Sequence, residues 1–97
     1  MIYVVKDRET VTPLTGSIGF TSTYIPPTSI DVIYAVVQAV DGPIRVCIDG
    51  TPPTSSKGMR FLKDTIFEVW GGGALAAFRA INDGGSANLE VIYMGRG

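Results

Sequence analysis

The sequence contains no histidine and a single cysteine, Cys47. The absence of histidine excludes Ser–His–Asp triads, histidine metal ligands and a histidine pH switch. One thiol cannot form a disulfide within the chain, and it cannot build a zinc or iron–sulfur site. Because a nucleophilic cysteine needs a nearby base, we expect Cys47 to be a packed thiol.

Charge is also scarce. Charged residues make up 18% of the chain, and eight basic against nine acidic side chains leave a net charge of -1. A nucleic-acid-binding domain needs a basic face, so we expect no nucleic-acid partner. The longest apolar stretch, residues 30–40, is interrupted by Asp31 and Gln38 and is too short to cross a bilayer, which takes about 20 residues. Residues 1–7 lack a signal-peptide pattern. We therefore expect cytoplasmic synthesis and no membrane partner.

The residues that are abundant favour β-strands. Val and Ile number ten each and Thr nine, against four Leu, and β-branched side chains suit a pleated surface. Twelve Gly and six Pro interrupt the chain at short intervals. The pattern predicts an all-β domain of short antiparallel strands, built as a small β-sandwich, a jelly-roll-like fold or a β-barrel. We expect one compact domain overall, with residues 1–29 as an irregular N-terminal arm with edge strands and residues 30–97 as a β-sandwich.

Alternating apolar residues locate the individual strands. Strands are expected at residues 1–6, 10–15, 18–22, 30–40, 44–48, 65–70 and 88–93, and a short bridge is expected at residues 59–62. Residues 7–9 are expected to be a charged turn, and residues 49–58 a long polar loop. Because residues 30–40 are apolar at both parities, we expect that strand to be covered on both faces. Turn residues at 41–43 and 82–85 predict two hairpins.

The segment of residues 74–81 fits two structures. Leu75, Phe78 and Ile81 lie at helical spacing, and the alanines favour a helix. An alternating pattern fits a strand equally well. The short length of the segment between glycines favours the strand.

No residue pattern points to catalysis, a metal or a cofactor. Lys57-Gly58 has the reverse order of a phosphate-binding loop, and the carboxylates are scattered, four of them at expected turns where Asp caps its own backbone. We interpret the aromatic residues of the expected strands mainly as core; they are Phe67, Trp70, Phe78 and Tyr93. No catalytic, cofactor-binding or metal-binding residue is therefore predicted.

Two regions are candidates for protein contacts. Apolar residues in the irregular N-terminal region suggest an arm that needs a partner to cover it. The expected contact residues of this arm are Ile18, Phe20, Tyr24, Ile25, Pro26 and Pro27. The polar loop adds a second set, which consists of Thr51, Pro52, Pro53 and Thr54.

The C-terminal half carries a loop motif and two segments near its end that form a pattern. The loop at residues 49–58 follows an expected strand and fits Asp-Gly-Thr-x-Pro-Thr-x-x-x-Gly, and residues 74–81 and 87–93 follow it. This pattern resembles small virion proteins of tailed bacteriophages, in which residues 74–81 and 87–93 would correspond to the paired closing strands. The resemblance covers residues 44–93. It implies an all-β structural protein of about this size, without enzymatic activity, and it favours a strand for residues 74–81.

Within that class we expect a capsid decoration (cement) protein on the capsid surface of the virion. It would bridge neighbouring subunits of the major capsid protein, as a homo-oligomer that is a trimer or a dimer. One alternative is a head–tail connector or tail component, and another is a non-enzymatic host-directed binding module.

Overall fold

A computed structural model describes residues 2–12, 16–54 and 56–97 of the chain. The expected strands at residues 1–6 and 10–15 therefore fall partly outside the described residues. The elements in chain order are β1 (Tyr3–Val11), a 3-10 turn (Ser22–Tyr24), β2 (Val32–Val40), β3 (Ile44–Cys47), β4 (Met59–Phe61), β5 (Ile66–Trp70), α1 (Gly72–Ala77), β6 (Arg79–Asn82) and β7 (Asn88–Arg96).

The strands form two antiparallel sheets. The larger sheet has the order β1-β7-β2-β5, and the smaller sheet has the order β4-β3-β6. The prediction of a small all-β domain of antiparallel strands is confirmed. The two sheets remain separate and do not close into a barrel. The larger sheet ends at β1 on one side and at β5 on the other.

The core lies between the sheets, and its buried strand residues come mainly from β2, β3 and β7. On β2 the inward side chains Val32, Ala35, Val37 and Ala39 are buried. The alternate residues of β2 are only half-buried, so the expectation that this strand is covered on both faces is wrong. The largest fully buried side chains of the core are Tyr93, Phe78, Ile44, Leu75, Leu89, Val37 and Val91.

Both expected hairpins are wrong, because each turn carries the chain from one sheet to the other. β2 and β7 belong to the larger sheet, whereas β3 and β6 belong to the smaller one. The two crossing turns pack on each other: the Asp83 amide donates to the Pro43 carbonyl at 3.0 Å. A side chain on Gly42 would lie 3.3 Å from the Ser86 nitrogen. The local turn signal is thus real, but it does not determine which strands pair.

Two further expectations differ from the structure. The charged residues 7–9 lie within β1 and form no turn, because they pair with residues 91–93 of β7 after a shift in register between Val5 and Asp7. In place of a strand at residues 18–22, Ile18 makes a single bridge to Ala80 and a 3-10 turn follows.

The segment of residues 74–81 begins as a helix and ends as a strand. Residues up to Ala77 belong to α1, where Leu75 is buried, and Arg79 begins β6. The prediction of a strand is therefore wrong for residues 74–77. Phe78 takes an extended backbone conformation, with ψ of 131°, and ends the helix.

Gly95 allows β7 to pass close to the chain that enters β2. A Cβ atom at this position would overlap with the carbonyl oxygen of Asp31 and lie 2.9 Å from its carbonyl carbon. The Asp31 carbonyl also accepts a hydrogen bond from the Arg96 amide at 3.1 Å. Both neighbouring atoms are backbone, so no side-chain rotation could make room.

Candidate functional site

The outer face of the larger sheet carries apolar side chains on all four strands. The register places Trp70 opposite Tyr34, Tyr34 opposite Met94 and Met94 opposite Val5. Residues directly opposite each other point to the same side of a sheet. We call this surface the outer face; its apolar residues are Tyr3, Val5, Tyr34, Val36, Val40, Ile66, Trp70, Ile92 and Met94.

Several of these side chains are open to solvent. Val5 is 61% exposed, Ile66 62%, Trp70 47% and Ile92 40%. A monomeric protein exposes single apolar residues routinely, but a contiguous patch marks an interaction site. Here the exposed residues are joined by half-buried Tyr34, Val36 and Met94, so the patch runs across the sheet.

An aromatic cluster anchors one end of the outer face. Tyr34 and Trp70 stack at a centroid distance of 3.9 Å and an angle of 8°. Tyr3 meets both rings edge-on, at 5.5 Å and 5.7 Å. Trp and Tyr supply much of the binding energy at protein interfaces. The expectation that Trp70 belongs to the core is wrong, because the odd residues of β5 face inward and Trp70 faces outward.

Charged residues of both signs surround the patch. Arg8 and Glu68 lie at the two ends of the row that contains Val36 and Ile92. Glu68 accepts a hydrogen bond from the Trp70 indole at 2.9 Å. An apolar centre with a polar rim is the usual arrangement of a protein interface.

A groove of about 460 Å³ opens between β5 of the larger sheet and β3–β4 of the smaller one. Its lining is mostly apolar and includes Val46, Phe61, Phe67 and Val69. Phe61 and Phe67 stack across it at 4.2 Å. The half-buried thiol of Cys47 also lies along this groove.

The arm residues expected at an interface are largely part of the fold. Phe20 and Ile25 are buried, so these two side chains cannot offer a surface to a partner. Phe20 stacks on Phe78 at 4.1 Å, and Tyr24 packs against Tyr93 at 5.4 Å. Ile18 and Pro27 are exposed, whereas Tyr24 and Pro26 are half-buried.

Glu9 ties this arm to the larger sheet. Its carboxylate accepts hydrogen bonds from the Thr21 amide at 3.1 Å and from the Thr21 hydroxyl at 2.5 Å. The Tyr93 hydroxyl donates to the same carboxylate. Burial and the hydrogen bond to Glu9 raise the pKa of Tyr93. The phenol therefore stays protonated and serves as a structural donor.

The contact residues expected in the loop at residues 49–58 are likewise partly buried and partly exposed. Pro53 is buried, Thr51 is half-buried, and Pro52 and Thr54 are exposed. Thr54 and Lys57 close a tight turn with two backbone hydrogen bonds of 3.0 and 3.3 Å. Asp49 accepts a hydrogen bond from the Thr51 amide at 3.0 Å, and its hydrogen bonds with Thr51 lower the pKa of the Asp49 carboxyl.

The smaller sheet carries an ion network on its solvent side. Asp83 lies 2.8 Å from Arg60 Nε and 3.3 Å from Arg45 Nε, and its side chain is only 13% exposed. Arg45 also donates to the Gly58 carbonyl at 3.1 Å. These contacts link β3, β4 and the turn after β6, so they stabilise the smaller sheet.

The residues that the structure describes contain no group of three or more His, Cys, Asp or Glu arranged to hold a metal ion. Within the same residues, neither helical segment has the length and apolar character to cross a bilayer. Comparisons with protein-family models, with curated proteins and with solved structures find no match to this chain.

Sequence reasoning missed the outer face, although part of its signal was present. Ile66, Glu68 and Trp70 share one parity of β5, and a charged residue at that parity indicates an outward face. On β1, even-numbered Arg8 and Thr10 lie on the same face as odd-numbered Tyr3 and Val5 only because the register shifts after Val5. The sequence pattern does not show this shift.

Proposed function

We propose that the chain is a non-enzymatic structural protein that docks on a larger protein assembly through its outer face. The observation that supports this function is the apolar patch of the outer face, with its Tyr3–Tyr34–Trp70 cluster and its charged rim. Following the resemblance of residues 44–93, we further propose that the assembly is a tailed-phage capsid and that the chain decorates it by bridging major capsid subunits.

The size of the outer face supports a repeated contact. Three strands of nine residues and one of five, about 4.8 Å apart, span an area of roughly 500 Å². A standard interface buries about 800 Å² on each partner, so one such contact is weak. Linking copies in a dimer or trimer makes later contacts intramolecular and raises the overall affinity. A shell with many equivalent positions suits this mode of binding.

The test is rebinding to particles from which the protein has been stripped. Ile92→Glu places a charge at the centre of the outer face, and Ile30→Glu places the same charge at a 73% exposed position outside it. We expect the wild type and Ile30→Glu to rebind and to raise the temperature at which shells burst. Ile92→Glu should bind at least tenfold more weakly, since docking would bury a new charge in the apolar centre with only the rim residue Arg8 opposite it.

Three results would contradict this function. Equal rebinding of the two variants would remove the outer face as the docking surface. Absence of the protein from purified particles, measured by mass spectrometry, would favour a host-directed binding module. A copy number matching a single connector ring would assign the protein to the head–tail junction.

A further inference from the structure

The free edge of β5 presents unpaired backbone groups. β5 pairs with β2 on one side only and is the last strand of the larger sheet. At the two ends of β5, the Thr65 carbonyl accepts a hydrogen bond from the Ala39 amide of β2 at 3.1 Å, and the Gly71 amide donates to the Ile33 carbonyl of β2 at 2.9 Å. In an antiparallel ladder the residues bonded to a neighbour alternate along the strand. Residues 65, 67, 69 and 71 therefore face β2.

The intervening residues of β5 point their backbone groups the other way. Ile66, Glu68 and Trp70 direct their N–H and C=O groups into the space beside β5. Such a row of unpaired groups is a template for another strand. No other described strand lies hydrogen-bonded on this side of β5.

Apolar residues that line the groove next to this edge are uncovered. Met59 pairs with buried Val46 and shares its inward direction, yet it is 65% exposed. Ile48 follows the last residue of β3, lines the groove and is 52% exposed. The groove of about 460 Å³ lies between these residues and β5. The sandwich thus lacks cover where β5 lacks a neighbour.

We propose that an extended segment of a partner protein adds to β5 as an antiparallel strand and fills this groove. Addition of a strand to a sheet edge is a recurrent mode of peptide recognition, in which backbone hydrogen bonds supply affinity and alternate side chains supply specificity. This inference goes beyond docking through the outer face and does not depend on it.

The side chains of β5 specify the pattern of the added strand. The partner residues opposite Phe67 and Val69 point into the apolar groove, so they are apolar. The residue between them lies opposite Glu68 on the outer face, where an opposite charge is favourable. The segment recognised therefore reads apolar–basic–apolar.

Glu68 also argues against a second copy as the occupant. Two β5 strands paired over their full length around a twofold axis place Glu68 directly opposite Glu68. Like charges in that position destabilise a strand pair. A basic residue from a different protein removes this repulsion.

The probe for the test is the peptide acetyl-Ser-Thr-Ile-Lys-Ile-Thr-Ser-amide, added to the ¹⁵N-labelled protein. We expect the amide protons of Ile66, Glu68 and Trp70 to exchange with solvent about tenfold more slowly at saturation. The amides of Phe67 and Val69 already bond to β2 and should change little. Failure to protect the first three amides would overturn the proposal.

Backbone methylation of the peptide provides the matched control. An N-methyl group on the central lysine removes the donor opposite Glu68, and we expect binding roughly tenfold weaker because a buried acceptor loses its partner. An N-methyl group on the second isoleucine removes a donor that points away from β5, and binding should change by less than about threefold. Equal effects of the two methyl groups would show that no strand is added.

A charge exchange tests the recognition of the basic residue. Glu68→Lys should prefer the peptide with Glu in place of Lys, by roughly two- to fivefold. Glu90→Lys, which changes a charge on β7, should keep the preference of the wild type. Protection of the β5 edge that appears with rising protein concentration in the absence of peptide would instead identify a second copy as the occupant and overturn the proposal.

Discussion

Replacing Phe20 with alanine tests whether the segment before β2 belongs to the folded core. The Phe20 ring is 7% exposed and stacks on Phe78 at 4.1 Å with an interplanar angle of 4°. Its edge contact with Tyr93 has a centroid distance of 5.6 Å. The Phe20 ring therefore packs against two fully buried side chains, Tyr93 of β7 and Phe78, the residue that ends α1.

The size of the effect follows from this burial. Removing a buried Phe ring costs about 3–5 kcal/mol, which includes the cavity that remains. In a domain of this length each kcal/mol lowers Tm by roughly 4–8 °C, so Phe20→Ala should lower Tm by about 12–40 °C. Such a loss is a large part of the total stability of a small domain, which is about 5–15 kcal/mol.

The matched control lies in the same segment. Ile30→Ala also shortens an apolar side chain, but Ile30 is 73% exposed and its loss should stay within about 0.5 kcal/mol. Thermal and urea unfolding, followed by circular dichroism, measure both variants. If Phe20→Ala is no less stable than Ile30→Ala, the segment is a free arm in solution and its packing as described is wrong.

Three further predictions concern stability. Gly95→Ala should destabilise the protein by at least about 1–3 kcal/mol, because the added methyl group overlaps with the backbone of Asp31. Gly73→Ala has open space around it and should stabilise α1 by about 0.5–1 kcal/mol. Urea unfolding compares the two variants, and equal effects would refute the close approach of Gly95 to Asp31. The pKa of Tyr93 is raised in the folded protein, so the phenol ionises more readily in the unfolded chain. The stability that Tyr93 contributes is therefore present below pH 10, and above pH 10 the free energy of unfolding should fall by up to about 1.4 kcal/mol per pH unit. Urea titrations at pH 8–11 should show a shallower decline in Tyr93→Phe, and parallel curves would contradict the role of this phenol. Asp83→Asn leaves the guanidinium groups of Arg45 and Arg60 without a counter-ion and should lower the free energy of unfolding by about 1–3 kcal/mol. If urea unfolding finds the variant as stable as the wild type at both low and high salt, the network contributes nothing.

The candidate surfaces were only partly predictable from sequence. The apolar residues of the N-terminal region predict contact residues that include Phe20 and Ile25, yet both side chains are buried in the core. Trp70 is the opposite case, because its pattern predicts a core residue and it faces outward. Hydrophobicity alone cannot distinguish a buried aromatic ring from an exposed one, since both appear as an apolar residue in a strand.

Pairing between strands was the least predictable feature. The turns at residues 41–43 and 82–85 were recognised correctly as turns, yet they connect different sheets. Turn chemistry reports the local backbone conformation. The choice between folding back on the same sheet and crossing to the other depends on which inward faces complete one core, and those residues are distant in the chain.

The sequence by itself determined the all-β class, the positions of β2, β3, β5 and β7, and the alternation that gives β3 and β7 an inward and an outward face. These properties arise from β-branched composition and a period of two residues, which act locally. Only the tertiary structure decided that β5 ends a sheet beside an open groove, and that Tyr3, Tyr34 and Trp70 meet on one surface. Those features require the register of strands that are far apart in the chain, and register is set by the packing of the whole core.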